Sequence, residues 1–117
     1  MPELFRLEKE EFSEKYSEKW WTYSFLFDFY FNTKKIKQIT ITDHYQQEHS
    51  EITNELILNI FQTKLNGERR ESRKKHGKRD IFVEERISYD DKKYRLIFCF
   101  KNGTTNHLWI RNCHQQD

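Results

Sequence analysis

The stretch from Asp80 to Arg111 constrains the fold most, because apolar side chains recur at every second position through much of its length. Polar residues at Asp90–Lys93 interrupt the alternation once, and Lys101–Thr105 interrupts it again. The second interruption contains Asn102-Gly103, a strong hairpin signal because such turns need residues that tolerate a positive φ. The stretch therefore predicts an antiparallel meander of three strands, at residues 81–89, 94–100 and 107–111.

Length and composition limit what else the chain can hold. With 117 residues we expect a single domain over residues 1–117, with a modest core. Only 35% of the residues are hydrophobic but 16% are aromatic, so rings must supply most of the core volume. Cys99 and Cys113 lie in or at the end of predicted strands, and no apolar leader follows Met1. We therefore expect a cytoplasmic protein with reduced thiols and no membrane partner.

The first third of the chain combines a predicted helix with an aromatic strand. Over residues 3–19, ring-bearing residues recur near helical spacing among Glu and Lys, which predicts an amphipathic helix. From Trp20 to Phe31 the aromatic residues instead alternate with period two, which favours a strand. A polar turn and a second strand, Ile36 to Thr42, would complete a hairpin.

The middle of the chain predicts two more helices. Thr42 or Asp43 can cap a short helix over His44–His49, and Thr53 can cap a second one that ends near Gly67. The resulting fold class is α+β, with a small antiparallel sheet of about five strands packed against two to three helices.

Sequence motifs of high specificity are missing. The chain has no glycine-rich phosphate loop, no Cys-x-x-Cys and no His-Glu-x-x-His. Three glycines in the whole chain exclude most nucleotide-binding loops.

The first candidate site is the histidine pair at the strand-to-helix joint. On a helix, His44 and Glu48 share a face and His49 lies nearby. An imidazole beside a carboxylate can act as a general acid or base. The same residues could in principle hold zinc, although the spacing supplies too few ligands. Alternatively, His44 only packs at the joint.

The second candidate is the basic segment Glu68–Arg79, with seven basic and two acidic side chains. Such a charge block attracts polyanions by counterion release. The alternative is a solvated connector. The predicted RNA-binding side chains of this segment are Arg69, Arg70, Arg73, Lys74, Lys75, Lys78 and Arg79.

The third candidate is the strand face that carries His107, Trp109 and Arg111. A Trp on an exposed face between His and Arg would stack a base beside a phosphate clamp, which suits single-stranded RNA. The alternative is that Glu84 or Glu85 pairs across strands with Arg95 or Arg111.

Several short motifs resemble the small toxins of the RelE/ParE superfamily, closest to the BrnT-like branch. They are Ile41-Thr42-Asp43-His44, Ile52-Thr53-x-Glu55-Leu56-Ile57, the basic stretch, Tyr94-Arg95-Leu96-Ile97-Phe98 and Ile110-Arg111-Asn112. The similarity covers about residues 36–114. Residues 1–35 depart from it, so the helix and aromatic strand there would be an extension serving a homodimer or another partner.

This resemblance implies a metal-independent endoribonuclease toxin that needs no cofactor, cleaves mRNA on the ribosome and is held inactive by an antitoxin protein. A base would activate the ribose 2′-hydroxyl for attack on the adjacent phosphate. His44 or His49 would be the base or acid, with Arg95 and Arg111 on the phosphate. Arg79 and Arg86 would be reserve phosphate ligands.

Two alternatives remain open at this point. One is a non-enzymatic nucleic-acid-binding or protein-binding module that has the basic face but lacks an acid–base pair. The other is a small phage-type inhibitor protein.

Overall fold

A seven-stranded mixed sheet organises the described part of the chain. The structure, a computed structural model, describes residues 4–43, 52–76, 79–101 and 104–116. The strands are β1 (Phe5–Ser13), β2 (Glu18–Phe31), β3 (Lys34–Thr42), β4 (Lys74–His76), β5 (Arg79–Tyr89), β6 (Lys92–Phe100) and β7 (His107–Gln116). Their order across the sheet is β1-β2-β3-β7-β6-β5-β4. Neighbours are antiparallel except β3 and β7, which run parallel.

The helix expected over residues 3–19 is wrong, because Phe5–Ser13 forms the edge strand β1, paired with β2. A bulge between Leu7 and Lys9 inserts one extra residue. The insertion breaks the period of two, so Phe5 and Phe12 share a sheet face although they are seven residues apart. A separation of seven residues also fits two turns of a helix, so the sequence pattern did not reveal the strand.

The aromatic hairpin is confirmed. Asn32 and Thr33 join β2 to β3 with φ of 52° and 64°, the conformation of a two-residue hairpin turn. Phe29 and Phe31 are fully buried, whereas Tyr30 between them is 42% exposed, so the period-two pattern marks a core face.

One helical segment is present in the described residues. Helix α1 (Asn54–Ile60) begins at the predicted cap, where Thr53 Oγ1 accepts a hydrogen bond from the Leu56 amide at 3.1 Å. A π-helical turn continues it to Leu65. Gly67 follows with a φ of 82°, which a glycine adopts without strain. The helix expected over 44–49 lies outside the described residues.

The predicted fold class is therefore wrong. The sheet has seven strands rather than about five and is mixed rather than antiparallel, and a single helical segment rather than two to three packs against it in the described part. The predicted meander itself is confirmed as β5, β6 and β7. The parallel pairing of β3 and β7 was missed, since local patterns do not record which distant strand is a neighbour.

The two faces of the sheet differ. One face holds the main core, in which the helix and both halves of the sheet meet around stacked rings. Phe31 lies 5.2 Å from Phe82 and 5.4 Å from Phe98 between ring centroids. The other face has only a small cluster of Ile81, Cys99 and Trp109, and no helix of the described residues covers it. No helix among the described residues is long and apolar enough to cross a bilayer.

We expect Phe31→Ala to lower the free energy of unfolding by about 3–5 kcal/mol, because it leaves a cavity among packed rings. Tyr30→Ala is the matched control on the opposite face and should cost less than about 1 kcal/mol. Urea unfolding measures both, and similar losses would contradict the assignment of the core face.

Candidate nucleic-acid interface

Six side chains cluster on the face of the sheet that no helix of the described residues covers, and we call them the cation–aromatic patch. Strands β2, β5 and β7, the β1–β2 turn and the end of β6 each contribute to it. The patch consists of Tyr16, Trp20, Arg79, Lys101, Trp109 and Arg111.

Three rings form the aromatic part of the patch. Trp20 meets Trp109 at 5.4 Å with an interplanar angle of 62°, and Tyr16 stacks on Trp20 at 6.0 Å and 27°. Trp109 is only 4% exposed, whereas Tyr16 is 48% exposed. The expectation that Trp109 lies on an exposed face is therefore wrong, because Trp20 and two arginines cover it. Tyr16 is the exposed ring of the patch, with Lys15 Nζ lying 5.3 Å from its centroid.

The cations of the patch lie over rings. The guanidinium carbon of Arg111 is 4.5 Å from the Trp109 centroid and that of Arg79 is 5.0 Å away. Lys101 Nζ lies 5.5 Å from the Trp20 centroid. A ring attracts a cation without neutralising it, so these contacts hold the side chains in place and keep their charge.

Beneath the two arginines lies the buried thiol of Cys99. Burial raises the pKa of this thiol, although the nearby positive charges of Arg79 and Arg111 oppose the rise. The thiol is therefore neutral at pH 7 and leaves the positive charge of the patch intact.

A depression of about 240 Å³ opens beside Trp109. Its lining residues are Tyr16, Glu18, Thr42, Trp109 and Arg111. Glu18 Oε1 accepts a hydrogen bond from Trp20 Nε1 at 2.8 Å. The buried Nε1 of Trp109 has no acceptor in the part of the chain that the structure describes. The depression thus combines a guanidinium, a hydroxyl, a phenol and a carboxylate.

The basic segment differs from the patch because several of its basic side chains form ion pairs with carboxylates. Arg70 Nε lies 2.6 Å from Glu84 Oε1, and its NH2 lies 3.2 Å from Glu68. Hydrogen bonding to Glu84 raises the pKa of Arg70. Arg70 also joins this segment to the β2–β3 turn, since its amide donates to Asn32 Oδ1 at 2.6 Å. Its role in the fold is structural.

Glu85 is the second carboxylate that neutralises predicted RNA ligands. Arg73 NH2 lies 3.1 Å from it and Arg95 Nε lies 3.3 Å from it. The pair with Arg95 is the cross-strand alternative raised above. Arg95 Nε is buried and, although at ion-pair distance, is not aligned for a hydrogen bond. The hydrogen bond from Arg73, above all, lowers the pKa of Glu85, so this carboxylate stays ionised.

The remaining predicted ligands are scattered. Lys75 Nζ lies 3.9 Å from Asp80, and Arg69 lines a separate depression beside the β2–β3 turn. Arg86 is exposed at a bulge of β5 with a φ of 55°. The predicted residues His44, His49 and Lys78, and the side chain of Lys74, lie outside the described residues.

Of the predicted site, the structure brings together Arg79, Trp109 and Arg111. Sequence reasoning missed Tyr16, Trp20, Glu18 and Lys101 as parts of the same site. Only strand order places β2 close to β7, so no local pattern could have revealed them. We find no metal-binding group of three or more His, Cys, Asp or Glu side chains among the described residues.

His107 is next to Lys101 of the patch, whose backbone amide donates a hydrogen bond to the His107 carbonyl at 2.8 Å. Its Nε2 lies 2.6 Å from Thr40 Oγ1, which is 2.9 Å from Thr22 Oγ1. Burial, assisted by the charge of Lys101, lowers the pKa of His107 to about 4. The imidazole is therefore neutral at pH 7 and ends a buried hydroxyl chain.

No protein-family model matches this chain, and neither a curated protein nor a solved structure is detectably similar to it.

Acid should destabilise the fold through His107. Its folded-state pKa of about 4 lies below the ordinary value of 6.5. The unfolded chain therefore takes up this proton first, and stability falls as pH drops from about 6.5 to 4. His107→Gln keeps a hydrogen-bonding group but cannot titrate there. Its stability relative to the parent should improve by about 1–2 kcal/mol between pH 7 and pH 4, because solvent screens the partly exposed imidazole and reduces the full effect of the shift. Parallel urea unfolding curves with a constant difference would contradict this.

Proposed function

We propose that this protein binds single-stranded RNA through the cation–aromatic patch. The observation that carries the proposal is the state of the cations. Arg111 and Lys101 lie over rings, and no carboxylate of the described residues forms an ion pair with either of them. Their charge is available to phosphates next to the exposed ring of Tyr16.

The shape of the patch favours a single strand over a duplex. A base could stack on the exposed ring of Tyr16 if it displaced the flexible Lys15 side chain, because Trp20 already supports this ring by stacking. Paired bases in an RNA helix cannot make this contact because they are already stacked. Arg111 lies over Trp109 and Lys101 lies over Trp20, so both cations could contact phosphates of the same strand.

The basic segment contributes less to this proposal than its composition suggests. Arg70 and Arg73 would have to leave Glu84 and Glu85 before binding a phosphate. Releasing a partly buried guanidinium from its carboxylate costs free energy and leaves the carboxylate unpaired. Arg69 and Arg86 are exposed and could add nonspecific attraction at longer range.

We expect Arg111→Gln to weaken binding of a short single-stranded oligouridine about five- to tenfold. It should also reduce the slope of log affinity against log salt by about one. Arg73→Gln removes the same charge from an ion-paired position and should change affinity less than about twofold. Fluorescence anisotropy at several salt concentrations measures both. Equal losses in the two variants would show that only net charge matters.

Endoribonuclease activity is a second candidate, supported by the depression that Glu18 and Arg111 share. A carboxylate there could accept the 2′-hydroxyl proton as the 2′-oxygen bonds to phosphorus. The bond from phosphorus to the 5′-oxygen would break, that oxygen would take a proton, and a 2′,3′-cyclic phosphate would remain. Arg111 would stabilise the extra phosphate charge.

The toxin hypothesis adds a cellular context to this second candidate. The protein would act in the cytoplasm on mRNA, including ribosome-bound mRNA, and an antitoxin protein would restrain it. His44 and His49 would then supply the acid or base, as the resemblance implies. Cys99 and Cys113 are buried and form no disulfide, which fits a reducing compartment.

Expression of the intact chain should arrest growth if the toxin hypothesis holds. Arg111→Ala and either Glu18→Gln or His44→Ala should relieve the arrest and abolish cleavage of a labelled RNA, with at least a hundredfold loss of rate. His49→Ala tests the remaining predicted acid or base. RNA binding without any cleavage by the parent chain would leave the binding proposal standing and reject the nuclease.

A further inference from the structure

Strand β1 is the long free edge of the sheet. Its nine residues pair with β2 on one side and have no neighbour among the described strands on the other. The opposite edge, β4, has only three residues. A long edge exposes a row of unpaired amides and carbonyls that can accept another strand.

The hydrogen bonds of β2 show which residues of β1 point their backbone groups outward. Lys19 accepts a bond from Asp43 at 2.9 Å, so its backbone groups face β3. Backbone groups alternate along an antiparallel strand, so the even-numbered neighbours Trp20, Thr22 and Ser24 face β1 instead. The β1 residues paired with these three direct their backbone groups inward, toward β2. Their neighbours along β1 direct theirs outward, away from β2. The outward set is Phe5, Leu7, Glu10 and Phe12, and Glu8 is the extra residue of the bulge.

The spacing of the outward set is symmetric. Because of the bulge after Leu7, successive members are separated by two, three and two residues. The series is the same in both directions along the strand. A second β1 turned by 180° therefore places an outward residue opposite every outward residue, with Phe5 opposite Phe12 and Leu7 opposite Glu10. A regular strand, with a spacing of two throughout, would match itself in several registers, whereas the spacing of two, three and two matches itself fully in this one alone.

Charges agree with the same register. Arg6 falls opposite Glu11 of a second copy, and Glu8 falls opposite Lys9, so these four charges meet their opposites, whereas Glu10 falls opposite Leu7. Arg6 is exposed, and Glu11 forms an ion pair with Lys9 of its own strand at 3.3 Å. Opposite charges directly across two strands stabilise the pairing, and like charges would weaken it.

Exposed apolar surface lies along this edge as well. Phe12 is 66% exposed and Leu7 is 47% exposed, and both lie on the face of the sheet that carries the core. In the proposed register both side chains would gain contacts from the other copy. Phe12 would meet Phe5, and Leu7 would meet Glu10.

We propose that a second copy of this chain pairs antiparallel along β1, with the two-fold axis between Glu8 and Lys9. The continuous sheet would then have fourteen strands, twice the seven of one copy. The axis runs normal to the sheet at the interface. Both cation–aromatic patches therefore lie on the same face of the continuous sheet. The pairing does not depend on RNA binding.

A charge swap tests the register. We expect the intact protein to be a dimer by light scattering and sedimentation, and Arg6→Glu or Glu11→Arg to raise its dissociation constant about tenfold or more, because each swap acts twice. The double variant R6E/E11R should restore dimerisation. A parent chain that is monomeric at about 100 µM, or a double variant no better than the singles, would overturn the proposal.

A disulfide provides a test that is independent of charge. Positions 6 and 11 face each other across the axis as a non-hydrogen-bonded pair, close enough for a disulfide. The variant R6C/E11C should form a covalent dimer on mild oxidation. The single variant R6C should not, because two copies of position 6 lie five residues apart in register. The native thiols are buried in the fold. Equal cross-linking of both variants would overturn the register.

Discussion

The parallel pairing of β3 with β7 is the interaction on which the rest of the structure depends. It joins two antiparallel halves, β1-β2-β3 and β7-β6-β5-β4, into one sheet. Ile39 meets Leu108 and Ile41 meets Ile110, all four fully buried in the core beneath the helix. On the other face the same joint sets Thr40 beside Trp109 and brings Trp20 within ring contact of Trp109. Core and patch are therefore two sides of one contact between residues distant in sequence.

Charge in this molecule depends on partners more than on composition. Arg70 and Arg73 belong to the most basic segment of the chain, yet carboxylates on β5 hold them. Arg111 comes from a segment with no unusual charge, and it keeps its charge because its neighbour is a ring. An ion pair cancels a charge and a cation–π contact does not. A count of basic residues therefore does not show which cations form ion pairs, and the partners of each cation do.

Much of the local structure was predictable, because its causes are local. Alternating side chains marked β2, β3 and the meander, and Thr53 marked the start of α1, since a cap depends on adjacent residues. The strand β1 was not predictable by the same means. One bulge after Leu7 converts period two into a spacing that a helix also satisfies. The candidate site was predicted in part: Arg79, Trp109 and Arg111 lie together, but the exposure of Trp109 depended on Trp20, about ninety residues earlier.

By itself, the sequence determined the strands of the aromatic hairpin and the meander, their turns and the ring-rich core, because hydrophobic periodicity and turn chemistry act over a few residues. The tertiary structure alone decided the order of the strands, the face of the sheet on which the described helix packs, and the partners of Arg70, Arg73 and Arg111. These depend on which distant segments come together, and no short pattern encodes that choice. The strand β1 depends on both kinds of cause. Its bulge is a local irregularity of one residue, but the segment is recognisable as a strand only from its pairing with β2.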